Sequence, residues 1–162
     1  MKKLLFWSII VVSLVACSDN NKTIMYTTTD GKIIDVSREH PFDARIVSNT
    51  YENGEGKIVF KTIMLRRIGV GAFHFRESLT SVTIPNSVKW IEDDAFFKCS
   101  SLTSITIPNS VKSIGEYAFD DCSSLTFIEY TGTKKQWNKI GYRNRGDNNI
   151  KVIYCTDGEI RL

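Results

Sequence analysis

Residues 78–89 read SLTSVTIPNSVK, and the same pattern returns as SLTSITIPNSVK at residues 101–112. A truncated third copy begins with SLT at residue 124 and departs from the pattern after Ile128. Equivalent positions lie 23 residues apart, as Ile84 and Ile107 do. A repeat of this length predicts a solenoid, because one coil cannot bury its own apolar face and must stack on its neighbours.

The strand part of each unit is the segment Leu-x-x-Ile/Val-x-Ile. Leu102, Ile105 and Ile107 are expected to point into the core, whereas Ser104 and Thr106 point to the opposite face of the strand. The return part of the unit places Ala-Phe pairs at residues 72–73, 95–96 and 118–119. This pattern predicts a mainly β fold with short helical or irregular turns, in which the strands of successive coils form a parallel ladder.

The whole unit resembles the BspA-like, treponemal-type leucine-rich repeat, whose pattern runs close to IPxSVxxIxxxAFxxCxxL. Residues 84–102 and 107–125 both fit that pattern, and the resemblance extends over residues 68–128. Arg76 takes the place of the cysteine in the first unit, as expected for a terminal coil that is exposed on one side. The resemblance implies a short leucine-rich-repeat solenoid, and BspA-like proteins include adhesins that contact host proteins or other cells.

The segment before the repeats, residues 23–60, has the composition and the turns of a β-rich cap. Asp30-Gly31 and Asn53-Gly54 are hairpin signals, because both dipeptides tolerate positive φ. The first predicts a hairpin of residues 23–29 with 32–36. The second predicts a hairpin of residues 46–51 with 57–60, through a loop of two residues or more. The repeats themselves are assigned to residues 61–130.

Residues 131–162 are predicted to cap the other end of the solenoid with a helix and a third hairpin. Residues 133–140 fit a short helix with Thr133 as the N-cap and with Trp137 and Ile140 buried. The hairpin joins residues 150–155 to 159–162 around Asp157-Gly158. The runs YTGT at 130–133 and CTDG at 155–158 also resemble the C-terminal end of BspA-like proteins, which implies that the solenoid ends here.

The N-terminus is arranged like a bacterial export signal. Two lysines precede an apolar stretch over residues 4–12, which is too short for a comfortable transmembrane span. Residues 14–17 read LVAC, which is similar to a lipobox. This resemblance implies that residues 1–16 are removed and that Cys17 carries a lipid anchor. Because residues 18–22 are polar, residues 17–22 are expected to form the lipidated cysteine and its tether. Ser18, directly after Cys17, is similar to the signal that directs a lipoprotein to the outer membrane. Cleavage at another site would instead leave a free exported protein.

The 162-residue chain carries a net charge of +3, and two of these charges lie in the predicted signal peptide. The mature chain is therefore close to neutral, which predicts no binding of nucleic acid. Three further cysteines, Cys99, Cys122 and Cys155, are odd in number and match no common disulfide framework. We interpret them as small buried apolar residues.

No motif in the sequence combines the residues of an active site at a usable spacing. The two histidines, His40 and His74, stand outside any metal-binding pattern, and neither a phosphate loop nor a nucleophile elbow is found. The carboxylates of residues 92–94 fall at a repeat turn and are interpreted as a solvated loop. The sequence therefore predicts no catalytic residues, no metal site and no cofactor, and hence a non-enzymatic protein.

The candidate binding face consists of the outward side chains of consecutive repeat strands, although the same composition also suits an exposed strand without a ligand. Its predicted members, four hydroxyl residues and two residues that extend their rows, are Ser81, Thr83, Ser104, Thr106, Phe127 and Glu129. Trp90 is added because no core role common to all repeats requires an aromatic residue there, and an exposed tryptophan is a frequent hot spot of binding. Arg66, Lys89 and Lys112 align as a basic column that would suit an acidic ligand.

These observations favour a protein-interaction or adhesion module that is anchored to the cell envelope through Cys17, at the outer membrane and exposed on the cell surface. Its expected partners are host or bacterial surface proteins. One alternative is an accessory glycan-capture lipoprotein of an outer-membrane uptake system, for which Trp90, Tyr117 and Phe97 are the candidate sugar-stacking residues. Another alternative is a periplasmic scaffold of the cell envelope.

Overall fold

Each repeat forms one coil that contains a longer strand and, after the proline turn, a strand of two residues. The computed structural model describes residues 21–36, 42–142 and 149–162, so the predicted lipidation site Cys17 and His40 lie outside the described residues. The strands are, in chain order, β1 Thr23–Thr28, β2 Ile46–Glu52, β3 Glu55–Phe60, β4 Arg67–Ile68, β5 Leu79–Thr83, β6 Trp90–Ile91, β7 Ser104–Ile107, β8 Ser113–Ile114, β9 Phe127–Tyr130, β10 Val152–Cys155 and β11 Gly158–Arg161. The helix α1 is Lys134–Ile140.

The longer strands form one eight-stranded sheet in the order β11-β10-β9-β7-β5-β1-β3-β2. Within it β5, β7 and β9 are parallel, and Val82 lies opposite Ile105, as the repeat period requires. The two-residue strands form a second sheet, three-stranded and parallel, in the order β4-β6-β8. The predicted solenoid with its parallel ladder is confirmed.

A column of aromatic rings runs through the core along the solenoid axis. The rings of Phe73 and Phe96 stack with their centroids 5.1 Å apart, and those of Phe96 and Phe119 stack at 5.6 Å. The column continues into both caps, because Phe42 lies 5.9 Å from Phe73 and Tyr142 lies 6.2 Å from Phe119. The caps therefore close the same core that the repeats build, and they do not form cores of their own.

The N-terminal cap extends the large sheet with antiparallel strands. β1 pairs with both β5 and β3, and β3 pairs with β2. The β2–β3 turn consists of two residues, Asn53 and Gly54, whose φ values of 53° and 86° confirm the hairpin predicted from this dipeptide.

The hairpin predicted at Asp30-Gly31 is wrong in its second strand, because residues 32–36 pair with no strand. Side chains bond to this segment in place of a strand: the Asn49 amide donates to the Ile34 carbonyl at 2.8 Å, and the Tyr26 hydroxyl accepts from the Ile34 amide at 3.4 Å. The Arg76 guanidinium donates to the carbonyl of Asp35. The residue that departs from the cysteine column thus fastens the covering segment to the first coil.

The C-terminal cap has the predicted helix and hairpin. Thr133 caps α1 and forms a capping box with Gln136, and Trp137 and Ile140 are buried. β10 joins the large sheet parallel to β9, and β11 pairs with β10. Cys155 lies opposite Gly158, so the hairpin turn falls one residue earlier than predicted.

Two of the three cysteines are buried as predicted, and their thiols have a hydrogen-bonding role that the sequence did not indicate. The thiols of Cys99 and Cys122 donate at 3.1 Å to the backbone carbonyls of Phe73 and Phe96 in the preceding coil. The neighbouring Cys122 thiol, together with burial, raises the pKa of the Cys99 thiol far above its ordinary value. Cys155 is only partly buried, so the prediction of a core position was wrong for that residue.

Candidate functional site

The outward side chains of β5, β7 and β9 form one continuous surface, which we call the hydroxyl face. Its six residues are Ser81, Thr83, Ser104, Thr106, Phe127 and Glu129. Ser81 lies opposite Ser104, and Thr83 lies opposite Thr106, which in turn lies opposite Glu129. Because alternate residues of a strand point to opposite sides, the buried Val82, Ile105 and Ile128 fix these neighbours outward. The structure thus brings six of the seven predicted residues together.

Hydrogen bonds tie the hydroxyl face to itself and to the N-terminal cap. The Thr106 hydroxyl donates to the Glu129 carboxylate at 3.0 Å. The hydroxyl oxygens of Thr27 and Ser81 lie 2.7 Å apart, and those of Thr27 and Thr80 lie 2.6 Å apart. The side chains of Ser81, Thr106 and Glu129 are therefore held in place, which lowers the entropy that they lose when a partner binds.

The face extends onto β10, where Tyr154 was missed by the sequence analysis. Tyr154 lies opposite Glu129 in the strand pairing, and its side chain is 48% exposed. Its ring packs edge-on against that of Phe127 with the centroids 5.5 Å apart. The signal that could have found it is the alternation of Val152, buried Ile153 and Tyr154 along the cap strand, which needs the pairing with β9 to become meaningful.

Trp90, the seventh predicted residue, does not lie on the hydroxyl face. It belongs to β6 in the three-stranded sheet, and its side chain is 38% exposed. Phe97 lies in the turn after β6, and its ring packs on that of Phe75 in the preceding coil with the centroids 5.6 Å apart. Tyr117 occupies the equivalent turn of the next coil. In the part of the chain that is described, no ring contact joins Trp90, Phe97 and Tyr117.

Comparison with known protein families gives a match over more than half of the chain. The model for the BspA type leucine rich repeat region matches residues 45–158 in six copies. The chain belongs to this family. The match begins before the first BspA-type unit visible in the sequence and reaches the start of β11, so the family pattern includes β2 and β3 of the N-terminal cap and most of the C-terminal cap.

Among solved structures, the chain is similar to a leucine rich cell surface protein from Faecalibacterium prausnitzii A2-165. The two are 40% identical with a TM-score of 0.46, over 49% of this chain. The chain spans 21% of the length of that protein. A search of curated proteins finds no match.

The acidic turn of the BspA-type coil at residues 92–94 has structural bonds to neighbouring coils. Glu92 forms an ion pair with Arg67 at 3.1 Å, and the Asp93 carboxylate accepts the backbone N–H of Glu116 at 2.8 Å. Burial and the carboxylates of Asp93 and Asp120 raise the pKa of Asp94. The turn is therefore not simply the solvated loop predicted, because two of its carboxylates link consecutive coils.

Two further observations concern metal binding and membrane-spanning helices. Across residues 21–36, 42–142 and 149–162, no three His, Cys, Asp or Glu side chains are grouped closely enough to hold a metal ion. Within those same ranges, no helix combines the length and the apolar character that crossing a bilayer requires.

Proposed function

We propose that this chain is a non-enzymatic interaction module on the bacterial cell surface, held there by a lipid on Cys17, and that the hydroxyl face binds a surface protein of a host or of another bacterium. Membership of the BspA-type family and the LVAC sequence at residues 14–17 support the proposal. Solenoids present extended faces of this kind to their partners.

The observation that carries the proposal is the composition of the face. Rows of serine and threonine end at the Phe127–Tyr154 pair, beside the Glu129 carboxylate. Tyrosine and serine dominate many protein-binding surfaces, because tyrosine gives large contact area at low entropic cost and hydroxyls adapt their hydrogen bonds. Tyr154 is thus the expected anchor, and the hydroxyl rows give the complementary polar contacts.

The size of the face limits the affinity of a single copy. Three repeat strands and one cap strand contribute to it, which is small compared with the long concave surfaces of larger solenoids. We therefore expect weak binding by one molecule and much stronger binding by many copies clustered on a membrane, since linked sites raise the effective concentration.

The test is binding of the purified full-length lipoprotein to immobilised host-matrix proteins, to whole cells and to a glycan array. Thr106→Arg places a long charged side chain in the centre of the face, and Tyr154→Ala removes the expected anchor. Each should weaken binding about tenfold or more. Ser124→Arg, at an exposed turn, is the matched control and should bind as the native chain does. Absence of binding by the lipoprotein clustered on vesicles at micromolar concentration, or equal binding by Thr106→Arg, would refute the proposal.

A glycan is the second candidate ligand, because Tyr154 and Glu129 are cross-strand neighbours. A sugar can stack on an aromatic ring while its hydroxyls donate to a carboxylate. Glycan capture through this pair predicts that Tyr154→Ala abolishes retention on a glycan array, whereas Trp90→Ala leaves it unchanged. Loss of retention with Trp90→Ala alone would instead place a sugar site on the three-stranded sheet.

A further inference from the structure

The place where the chain leaves the folded body is fixed by hydrogen bonds. The carbonyl of Asn21 accepts the backbone N–H of Leu65 at 2.7 Å and the hydroxyl of Ser87 at 2.7 Å. Ser87 lies in the turn that follows Pro85, beyond the end of β5. The first described residue is therefore held at the corner where the coils turn from the large sheet into the small one.

Asn21 lies only four positions after Cys17 along the chain. A fully extended chain advances by at most about 3.6 Å per residue, so the two Cα atoms can be no more than about 14 Å apart. If Cys17 carries a lipid, this corner of the solenoid lies within that distance of the membrane surface. The inference that follows rests on the lipid anchor of the proposed function.

The same corner exposes three large apolar side chains. Ile63 and Met64 immediately precede Leu65 and are 88% and 39% exposed. The third is Trp90, on β6 of the small sheet. It lies at the same corner because the backbone N–H of Lys89, the residue before it, donates to the carbonyl of Arg66 in the preceding coil. Tryptophan and aliphatic side chains beside cations are typical of segments that lie in the headgroup region of a bilayer.

Cations stand in a column beside these apolar residues. The N–H of Lys89 donates to the carbonyl of Arg66 at 2.7 Å, and the N–H of Lys112 donates to that of Lys89 at 2.8 Å. The three residues therefore occupy one position in consecutive coils. None of their side chains forms an ion pair with a described residue, whereas Arg67 in the neighbouring column is paired with Glu92. The column is free to meet anionic lipid headgroups.

We infer that this surface, the basic corner of Ile63, Met64, Arg66, Lys89, Trp90 and Lys112, rests on the bilayer that holds the lipid anchor. The apolar side chains enter the headgroup region, and the cations lie at lipid phosphates. β5 and β7 run toward this corner, since each is followed by the proline turn. The C-terminal ends of these strands consequently face the bilayer, and the hydroxyl face remains open to a partner.

The experiment measures Trp90 directly. The full-length lipoprotein is purified from membranes and reconstituted into vesicles of phosphatidylethanolamine and phosphatidylglycerol that contain brominated acyl chains. After signal removal the tryptophans are Trp90 and Trp137, and Trp137 is buried at 4% exposure. Bromine should quench the Trp90 emission, and Trp90→Phe should abolish the quenched component. Unquenched Trp90 emission would overturn the inference.

Charge variants test the column of cations. Lys89→Ser and Lys112→Ser should each lower the ratio of docked to undocked protein, measured by quenching, by about fivefold. Lys151→Ser removes an exposed lysine just before β10, outside the basic corner, and should leave the quenching unchanged. Equal effects of all three substitutions would show that net charge, and not the basic corner, governs the interaction.

Failure of the anchor and failure of the orientation give different results. Detergent phase partition and the mass of the N-terminal peptide report the lipid on Cys17 independently of Trp90. A lipidated protein whose Trp90 is unquenched keeps its anchor but loses the proposed orientation. An unlipidated protein overturns the anchor, and the orientation is then overturned with it.

Discussion

The rings of Phe73 and Phe96 stack with their planes 2° apart and their centroids 5.1 Å apart, although a whole coil separates the two residues. This contact repeats between Phe96 and Phe119, so Phe96 has a ring on both sides. One phenylalanine per repeat therefore forms the aromatic contact between consecutive coils.

Phe96→Ala should be among the most destabilising single substitutions in the protein. It opens a cavity at the centre of the aromatic column and removes two ring contacts, which should lower the free energy of unfolding by about 3–5 kcal/mol. Phe75→Ala removes a ring that is 50% exposed and should cost about 1 kcal/mol or less. Urea denaturation of both variants measures the difference, and equal losses would contradict a central role for the column.

The helix N-cap gives a second, smaller stability effect. Thr133 accepts the N–H of Gln136, and the Gln136 side chain accepts the N–H of Thr133 at 2.8 Å. Thr133→Ala should therefore destabilise the C-terminal cap by about 1 kcal/mol. Thermal unfolding measures it, with Lys135→Ala on the exposed side of α1 as the control. A Thr133→Ala variant with the melting temperature of the native protein would show that this N-cap does not contribute to the stability of the folded chain.

The stability contribution of Asp94 should decrease as the pH rises. Burial and the nearby carboxylates raise the pKa of Asp94 in the folded chain, so the folded state binds this proton more tightly than the unfolded state does. The contribution is complete below the unfolded pKa and is lost as the pH passes through the raised folded pKa. Asp94→Asn imitates the protonated form and tolerates the positive φ of 55° at this position. The variant should melt above the native protein at about pH 7, with a smaller gain at about pH 3.5. A gain that is independent of pH would contradict this assignment.

The three cysteines of the repeats and cap should differ in reactivity. Burial and the Asp157 carboxylate raise the pKa of Cys155, but its side chain is partly accessible. The thiols of Cys99 and Cys122 are buried and bonded to backbone carbonyls. A thiol-specific reagent followed by peptide mass analysis should label Cys155 first, slowly, and should label the other two only after unfolding. Early labelling of Cys99 would mean that the coils open locally.

The repeat period predicted the coils because stacking forces equivalent residues into equivalent environments. Leu102, Ile105 and Ile107 are all fully buried, and the outward row of Ser104 and Thr106 follows from their alternation. The caps were harder to predict, since no neighbouring copy repeats their contacts. Residues 32–36 illustrate this: Ile34 and Val36 are buried in alternation, as in a strand, but side chains of other elements make the bonds that a paired strand would make.

The candidate site was predictable only where it is periodic. Six face residues follow from the repeat, whereas Tyr154 enters the face through β10, whose pairing with β9 has no counterpart in the repeated sequence. Trp90 lies on a different surface from these six because each coil contains two strands, and the second strand belongs to a separate sheet after the proline turn. Which of two strands an exposed residue belongs to depends on that turn, and hydrophobic alternation alone does not determine it.

The central claim, that this chain presents its hydroxyl face outside the cell, is tested most directly by labelling intact bacteria with a membrane-impermeant, lysine-reactive biotin reagent. The protein is recovered by antibody, and a periplasmic protein serves as the control for leakage. Our account predicts that the chain is biotinylated on intact cells while the control stays unlabelled. Labelling of the chain only after lysis would contradict the account and would favour the periplasmic scaffold.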